Sequence, residues 1–239
     1  MNILILSGLD PVGGAGISVD VKVARSLGLH PLPIVTTLTV QNTCGVREVF
    51  PVDSKILEKQ LSFLLEDANV SAVKIGLISS TDTSKVLLDF IKNIDSPKVL
   101  DPIIYAGAGG KIGCEDAYKM LMSHVDVITP NFTEAKILSG KSDVIEAGKE
   151  LKKLTKAVII TGGELGGKDH VFEEKNYTVE AEFIKISIHG TGCVYSTALA
   201  CYLAKGRNLE DSTRLARIFV LESVKKALKV GKCRLCVNP

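Results

Sequence analysis

A glycine-rich tetrapeptide, Gly190-Thr191-Gly192-Cys193, leads directly into a run of small residues suited to a closely packed helix. Glycine lets the backbone approach an anion closely, and the free N–H groups at a helix start point toward it. The helix dipole favours negative charge at the same place. The pattern therefore predicts a site for a phosphate or an oxyanion, with a tight packing turn as the alternative interpretation.

A thiol stands where this glycine loop ends and the helix begins. A structural cysteine is expected deeper within an element, so the position of Cys193 favours a functional thiol. The alternative is that Cys193 is a small apolar residue of the core, which is a common use of free cysteine.

Two other motifs are weaker. Residues 162–168 match the first seven positions of a P-loop, but Asp169 follows where Ser or Thr should hold magnesium, and a strand pattern follows instead of a helix. A glycine-rich turn entering a hairpin is the better interpretation. Cys233 and Cys236 have C-x2-C spacing, yet a zinc site usually has four ligands, so no metal is predicted in the tail.

The hydrophobic pattern predicts the elements that must position these residues. Strands are predicted at 3–6, 33–37, 72–75, 98–100, 125–128 and 157–161, and helices at 17–27, 56–65, 81–92, 116–123, 133–138, 144–154, 192–204 and 209–229. This alternation predicts an α/β fold, namely a three-layer sandwich whose mostly parallel central sheet carries helices on both faces. Runs 169–172 and 177–181 predict an added edge hairpin.

In open α/β sheets, ligands bind outside the carboxyl ends of the strands. The polar and glycine-containing segments that directly follow predicted strands are Ser7-Gly8, 39–43, Gly76, Asp101, 129–131 and 161–163. Among them, Gln41 carries both a donor and an acceptor and could therefore bind a polar ligand. A loop cap is the alternative role for this glutamine.

The composition limits the class of protein. The chain has 239 residues, 46% of them hydrophobic, and a net charge of +2, which is typical of a globular protein. No basic cluster favours nucleic acid, and no apolar run is long enough for a membrane span. We expect one domain over residues 1–239 in the cytoplasm, with the six cysteines present as thiols.

Several motifs together carry a family resemblance. They are residues 7–16 with Asp20, then 40–43, 74–76, 100–102, 129–135 and 189–193, followed by the tail 231–239. In this order they resemble the ribokinase superfamily, and within it the hydroxymethylpyrimidine and hydroxymethylpyrimidine-phosphate kinases of thiamin biosynthesis. The resemblance implies a ribokinase-like fold and ATP-dependent phosphorylation, with Mg²⁺, of a hydroxymethyl group and then of the resulting monophosphate.

The resemblance also implies roles for individual residues. It assigns Cys193, Gly190, Thr191 and Gly192 to catalysis, Gly8, Asp20, Gln41, Leu77 and Ile103 to the substrate pocket, Asn131, Thr161 and Gly163 to ATP, and Glu134 and Asp101 to the metal. Cys193 stands where sugar kinases of the superfamily carry an aspartate base, and it can accept the alcohol proton if the helix N-terminus lowers its pKa. Asn131 and Glu134 have the alternative role of a helix cap with an acidic first turn.

The sequence departs from the family pattern mainly at the phosphate end. Gly107 stands where members often carry a lysine in the mobile segment 103–110, and Lys111 is the nearest replacement. Thr161 and Glu164 replace a usual Lys and His, while Leu9 and Val12 replace small hydroxyl residues. The phosphate end is therefore predicted to be less basic than in the family.

Three activities remain open at this point. The first is the pyrimidine kinase, the second a pyridoxal kinase of the same fold, and the third a non-catalytic pyrimidine-binding regulator. Gln41 together with Cys193 favours the pyrimidine. The resemblance further implies a homodimer that acts on a small molecule.

Overall fold

The computed structural model describes residues 1–107, 109–180, 182, 184 and 188–239. Its strands are β1 Asn2–Leu9, β2 His30–Asn42, β3 Gly45–Pro51, β4 Ala72–Ile75, β5 Lys98–Leu100, β6 Val127–Ile128, β7 Ala157–Ile160, β8 Lys168–Phe172, β9 Tyr177–Glu180, β10 Ile188–His189 and β11 Leu235–Cys236. Its helices are α1 Gly16–Ser26, α2 Ser54–Leu65, α3 Thr81–Ile91, α4 Glu115–Met122, α5 Phe132–Ser139, α6 Val144–Lys152, α7 Thr191–Ala204 and α8 Leu209–Lys225.

Nine strands form one sheet in the order β3-β2-β1-β4-β5-β6-β7-β8-β9. The inner run from β2 to β7 is parallel throughout, and the pairs β2–β3, β7–β8 and β8–β9 are antiparallel. The predicted mostly parallel sheet with an edge hairpin is therefore confirmed. Ala181, the last residue of the predicted hairpin, lies outside the described residues.

Helices cover both faces of the sheet, as predicted. Side chains of α2 to α6 form one hydrophobic core with one face of the strands, and α1, α7 and α8 form the other. Helix α7 is buried continuously from Cys193 to Cys201. A helix that is apolar all round must be covered on every side, and α7 packs against β4 and β5 as well as α1 and α8. This placement fixes the glycine loop at the start of α7 against the sheet.

The second strand differs from the prediction. It runs on to Asn42 and returns as β3, so Gln41 lies on a strand and not in a loop after one. The turn is made by Asn42, whose Oδ1 accepts hydrogen bonds from the N–H groups of Cys44 and Gly45 at 2.8 and 3.2 Å. Such Asx turns mimic a backbone turn and allow a tight reversal. Strand β3 was not predicted, because its half-exposed residues lack a continuous apolar run.

The remaining boundaries shift by a few residues. Helix α8 ends at Lys225, whereas the prediction reached residue 229. Residues 162–168 form a short 3₁₀ turn and the start of β8, which confirms the turn interpretation over a P-loop. Strands β10 and β11 pair in parallel and bring the C-terminal tail beside His189.

The prediction that every cysteine is a thiol is wrong for one pair. Cys44 and Cys233 form a disulfide across a sequence separation of 189 residues, and Cys114, Cys193, Cys201 and Cys236 are free. The turn after β2 and the tail approach each other only in the folded chain, and spacing along the sequence gives no sign of such a pairing. Within the described residues, every helix is too short or too polar to cross a lipid bilayer.

Candidate active site

A cavity of about 520 Å³ opens at the carboxyl ends of the parallel strands. The predicted site residues that line it are Gly8, Gln41, Leu77, Asp101, Ile103, Asn131, Glu134, Thr161, Gly163, Gly190, Thr191, Gly192 and Cys193. Asp20 is the predicted site residue that does not. The parallel topology explains the convergence, since it directs the end of every inner strand to one edge of the sheet.

The glycine loop has the geometry of an anion site. Gly190 has a φ of 96°, which favours glycine, and a Cβ there would collide with the carbonyl oxygen of Gly14. The N–H groups of Thr191, Gly192 and Cys193 open helix α7, and the first N–H groups of a helix have no partner within it. These groups line the cavity with the positive end of the helix dipole behind them.

The thiol of Cys193 lies at the base of this loop and is 6% exposed. Its Sγ accepts a hydrogen bond from the N–H of Gly16 at 3.4 Å. Burial raises the pKa of Cys193 to about 12, although the charge of Lys74 acts in the opposite direction. The lowered pKa on which a role of Cys193 as base depends is therefore not found here, because burial is the largest influence on the thiol. A thiol with this pKa is protonated at neutral pH.

A fully buried ion pair lies behind the cavity wall. Lys74 Nζ contacts Asp20 Oδ2 at 2.9 Å with both side chains 0% exposed, and Thr197 Oγ1 donates to Asp20 Oδ1 at 2.7 Å. The placement of Asp20 in the substrate pocket is therefore wrong, because its carboxylate is fully buried behind the cavity wall and binds Lys74 and Thr197 instead. Burial acts to lower the pKa of Lys74, but Asp20, Cys193 and Asp101 raise it well above its ordinary value.

Asp101 follows β5 and is buried beside the glycine loop. A Cβ built on Gly192 would lie 3.9 Å from Asp101 Oδ2, and Ser196 Oγ donates to that oxygen at 3.0 Å. Burial raises the pKa of Asp101 to about 6, against the lowering effects of Lys74 and Ser196. Asp101 is therefore mostly ionised at neutral pH, and it lies on the cavity wall.

Glu134 is buried at the start of α5 and forms a capping box with Asn131. Asn131 Oδ1 accepts from Glu134 N at 2.8 Å, and Glu134 Oε2 accepts from Asn131 N at 3.0 Å, so the helix-cap interpretation is realised. Burial, followed by the charge of Asp101, raises the pKa of Glu134 to about 8. Because the charge of Asp101 disfavours the ionisation of Glu134, a cation bound by these two buried carboxyl groups would be stabilised.

Asp10 organises the opposite end of the cavity, and the sequence analysis gave it no role. It accepts hydrogen bonds from the N–H groups of Gly14 and Ala15 at 3.1 and 2.9 Å, and His189 Nε2 lies 2.9 Å from its Oδ2. Burial acts to raise its pKa, but hydrogen bonds from His189 and Gln41 outweigh burial and lower it. The signal that was missed is Asp10 followed by Pro and a glycine pair, a typical turn pattern.

The Gln41 side chain lies close enough to Asp10 to contribute to the lowered pKa of that carboxyl. Because a carboxylate only accepts hydrogen bonds, the NH₂ group of Gln41 is the end of the amide that would turn toward Asp10. The carbonyl oxygen of Gln41 is then the group available to accept from an amino substituent in the cavity.

The start of α5 is held from a second side. Thr133 N and Thr133 Oγ1 donate to the Glu164 carboxylate at 2.8 and 3.0 Å, and Asn131 forms a bridge with Thr161. Glu164, which stands where the family pattern has a histidine, therefore links the turn after β7 to helix α5 through these hydrogen bonds. Thr161 and Gly163 are thereby placed beside Asn131 on the cavity wall.

Comparison with known proteins identifies the family to which the chain is similar. The family model described as phosphomethylpyrimidine kinase matches residues 10–238. The hydroxymethylpyrimidine/phosphomethylpyrimidine kinase of Aquifex aeolicus is 32% identical, with 96% of each chain covered. The kinase of the same description from Rhizobium meliloti is 31% identical, with 97% of this chain and 94% of the relative covered.

Solved structures give the same result for the fold. The ADP complex of Bacillus subtilis pyridoxal kinase matches with a TM-score of 0.88 at 27% identity, covering 99% of this chain and 96% of that one. Phosphomethylpyrimidine kinase from Clostridium difficile matches with a TM-score of 0.81 at 29% identity, covering 94% and 99%. The predicted ribokinase-like fold is confirmed. With the family model and both curated relatives in agreement over nearly its whole length, the chain belongs to the phosphomethylpyrimidine kinase family.

Proposed function

We propose that the chain transfers a phosphoryl group from ATP to the hydroxymethyl group of 4-amino-5-hydroxymethyl-2-methylpyrimidine, and then to the monophosphate product. One observation carries this proposal. A single cavity is lined by the amide of Gln41, by two buried carboxyl groups, and by a glycine loop with the geometry of an anion site. Phosphoryl transfer needs such positioning and charge stabilisation more than covalent help.

Different residues along the cavity would bind the phosphoryl group, bind ATP and accept the hydroxyl proton. The N–H groups of Thr191, Gly192 and Cys193 would hold the oxygens of the phosphoryl group that is transferred. Asn131, Thr161 and Gly163 would bind ATP, because they lie on the cavity wall beside helix α5. Cys193 would accept the hydroxyl proton from its place at the base of the loop, which requires that its thiol first be ionised.

Magnesium fits the carboxylate end. Mg²⁺ prefers oxygen ligands and is usually bound by one or two carboxylates together with substrate phosphates. Asp101 and Glu134 supply such a pair, both buried and both lining the cavity. When bound there, the ion would neutralise phosphate charge and orient the phosphates for transfer.

A coupled assay of ADP release tests the activity. Hydroxymethylpyrimidine, its monophosphate and pyridoxal would be offered separately with ATP and magnesium. We expect turnover of the two pyrimidines to exceed that of pyridoxal. Absence of turnover with all three would contradict the proposal and favour a non-catalytic binding role.

Pyridoxal kinase is the second candidate, because the Bacillus subtilis pyridoxal kinase shares this fold at a TM-score of 0.88. A pyridoxal ring has no exocyclic amino group to donate to the carbonyl oxygen of Gln41. The orientation of that amide therefore supports the aminopyrimidine. Turnover of pyridoxal above that of both pyrimidines would reverse the order of the two candidates.

Gln41→Ala is expected to weaken pyrimidine binding by about 1–3 kcal/mol, the cost of leaving a buried polar partner unsatisfied. ATP affinity should barely change, since Gln41 lies at the other end of the cavity. Isothermal titration with each ligand measures both effects. An equal loss for the two ligands would mean that Gln41 supports the structure of the β2–β3 hairpin instead.

Glu134→Gln is expected to raise the magnesium concentration needed for half-maximal turnover about tenfold or more, because an amide of the same shape cannot ionise when the cation binds. Pyrimidine affinity should stay unchanged. The matched control is Glu146→Gln, which removes an exposed carboxylate from the first turn of the neighbouring helix α6. An unchanged magnesium titration in Glu134→Gln would leave this residue with its capping role alone.

We also propose that the chain works as a single catalytic domain, as a homodimer and in the cytoplasm. The domain assignment is supported by one sheet that takes strands from residue 2 to residue 180.

The dimer is supported by exposed apolar side chains on β2 and β3, where Leu38 pairs with Phe50. Analytical ultracentrifugation of Phe50→Glu would test it, with dissociation to monomers as the expected result. In a reducing cytoplasm, Cys44 and Cys233 should be mostly thiols.

A further inference from the structure

The segment after β5 provides no cation at Gly107, where related kinases often carry a lysine. Lys111 does not replace it, because its Nζ pairs with Glu115 at 2.7 Å on the outside of α4. The described side chains that line the cavity include five carboxylates, Asp10, Asp101, Glu134, Glu164 and Glu182. A cavity that is proposed to accept phosphates is therefore lined by more carboxyl groups than arginine and lysine side chains among its described residues.

Two arginines line the same cavity, Arg217 and Arg234. Arg217 is held in place by the fold, since its Nη2 donates to the carbonyl oxygen of Gly167 at 2.5 Å and its Nη1 lies 3.4 Å from Asp169 Oδ1. Arg234 belongs to the C-terminal tail, which no strand or helix prediction from the sequence covered.

The backbone is fixed on both sides of Arg234. On one side, Cys233 N donates a hydrogen bond to Thr43 Oγ1 at the turn after β2 at 3.4 Å, a contact that does not require the disulfide with Cys44. On the other, β11 pairs with β10, and Val237 N donates to the carbonyl oxygen of His189 at 3.0 Å. Because His189 directly precedes the glycine loop, the tail runs beside the anion site.

The side chain of Arg234 reaches from this tail to the segment after β5. A Cβ built on Gly107 would collide with Arg234 Nη1, and it would lie 3.3 Å from Cζ and 3.4 Å from Nη2. The guanidinium thus occupies the space that any side chain at position 107 would enter. The absence of a side chain at Gly107 leaves room for the guanidinium of Arg234, so the cation next to position 107 comes from the C-terminal tail.

We propose that Arg234 binds the phosphate oxygens of the substrate at the transfer site, and that it replaces from the tail the cation that position 107 lacks. A guanidinium can bind two phosphate oxygens at once through parallel N–H groups, which gives both strength and orientation. The identity of the phosphorylated substrate rests on the proposed function. The assignment of Arg234 as a phosphate ligand rests on the geometry of the tail.

The test removes the positive charge at position 234 and introduces one at position 107. Arg234→Gln is expected to lower kcat/KM for the pyrimidine monophosphate about 10²-fold, the scale of losing a charge-assisted bidentate contact. Gly107→Lys alone should also be impaired, because its side chain meets Arg234. The double variant Arg234→Gln/Gly107→Lys should recover at least about tenfold over Arg234→Gln, since the lysine then enters the vacated space. Lys232→Gln is the matched control, an exposed cation two residues away in the same tail.

A binding measurement separates this inference from the proposed function. Calorimetric titration with inorganic pyrophosphate requires no turnover, and we expect Arg234→Gln to weaken binding about tenfold while Lys232→Gln does not. If the wild-type chain fails to phosphorylate pyrimidines but shows this difference, the function is wrong and Arg234 remains a phosphate ligand. Equal pyrophosphate affinity of wild type and Arg234→Gln would overturn the assignment, whatever the turnover shows.

Discussion

Replacing Cys193 with serine is expected to lower turnover about 10²-fold with little change in pyrimidine or ATP affinity, since general-base help is worth that much or more. Serine keeps the size and the hydrogen bond from Gly16, but its hydroxyl is a far weaker acid than the thiol. Cys193→Asp should recover part of the loss, because a carboxylate supplies a base in the same position. Steady-state turnover of the three proteins at saturating pyrimidine and ATP measures the effect.

The pH dependence tests the same role independently. Burial raises the pKa of Cys193 to about 12, so the thiolate fraction rises tenfold with each pH unit below that value. Turnover of the wild type should therefore rise about tenfold per unit between about pH 7 and 9, whereas Cys193→Asp should be flat over that range because its carboxylate is already ionised.

A wild-type profile that is flat above neutral pH would contradict the thiolate base. Asp101 would then be the candidate, since burial raises its pKa only to about 6 and it lies beside the same loop. In that case Asp101→Asn would lose turnover and Cys193→Ser would not. Cys201→Ser is a suitable control for thiol loss, because Cys201 is buried farther along helix α7 and does not line the cavity.

Replacing Lys74 with methionine is expected to reduce the free energy of unfolding by about 3–5 kcal/mol, the usual cost of removing one partner of a buried ion pair. Asp20 would keep its bond from Thr197 but would be left charged and fully buried. Urea denaturation monitored by circular dichroism gives the free-energy difference directly.

The double variant Asp20→Asn/Lys74→Met serves as the control, because it removes both charges and lets the amide oxygen of residue 20 accept from Thr197. It should recover most of the lost stability. If the double variant is as unstable as Lys74→Met, the cost comes from packing of the lysine chain and not from the unpaired carboxylate. Lys74 also acts to lower the pKa values of Cys193 and Asp101, and Asp20 acts to raise both. The double variant removes both charges, so its pH profile should move to higher pH less than that of Lys74→Met.

The sequence alone determined most of the elements, although not β3, β10 or β11, and the edge of the sheet where they converge. Buried strands such as β4 and β5 appear as short, nearly continuous apolar runs, and their predicted limits agree with the structure. The glycine loop before α7 is equally local, since the left-handed Gly190 and the helix start that follows it are neighbours in the chain. Hydrophobic periodicity and turn chemistry act over a few residues, and they can therefore be read from a few residues.

The tertiary structure decided which polar groups remain available to a ligand. Asp20 is paired with Lys74, 54 residues away, and Cys44 with Cys233, 189 residues away. Arg234 reaches the cavity only because the tail pairs with β10 and crosses toward Gly107. The protonation of Cys193 likewise depends on how completely α1, α7 and the sheet exclude water from its thiol. Solvation and long-range pairing are properties of the packed chain, and the order of the residues does not encode them in any local pattern.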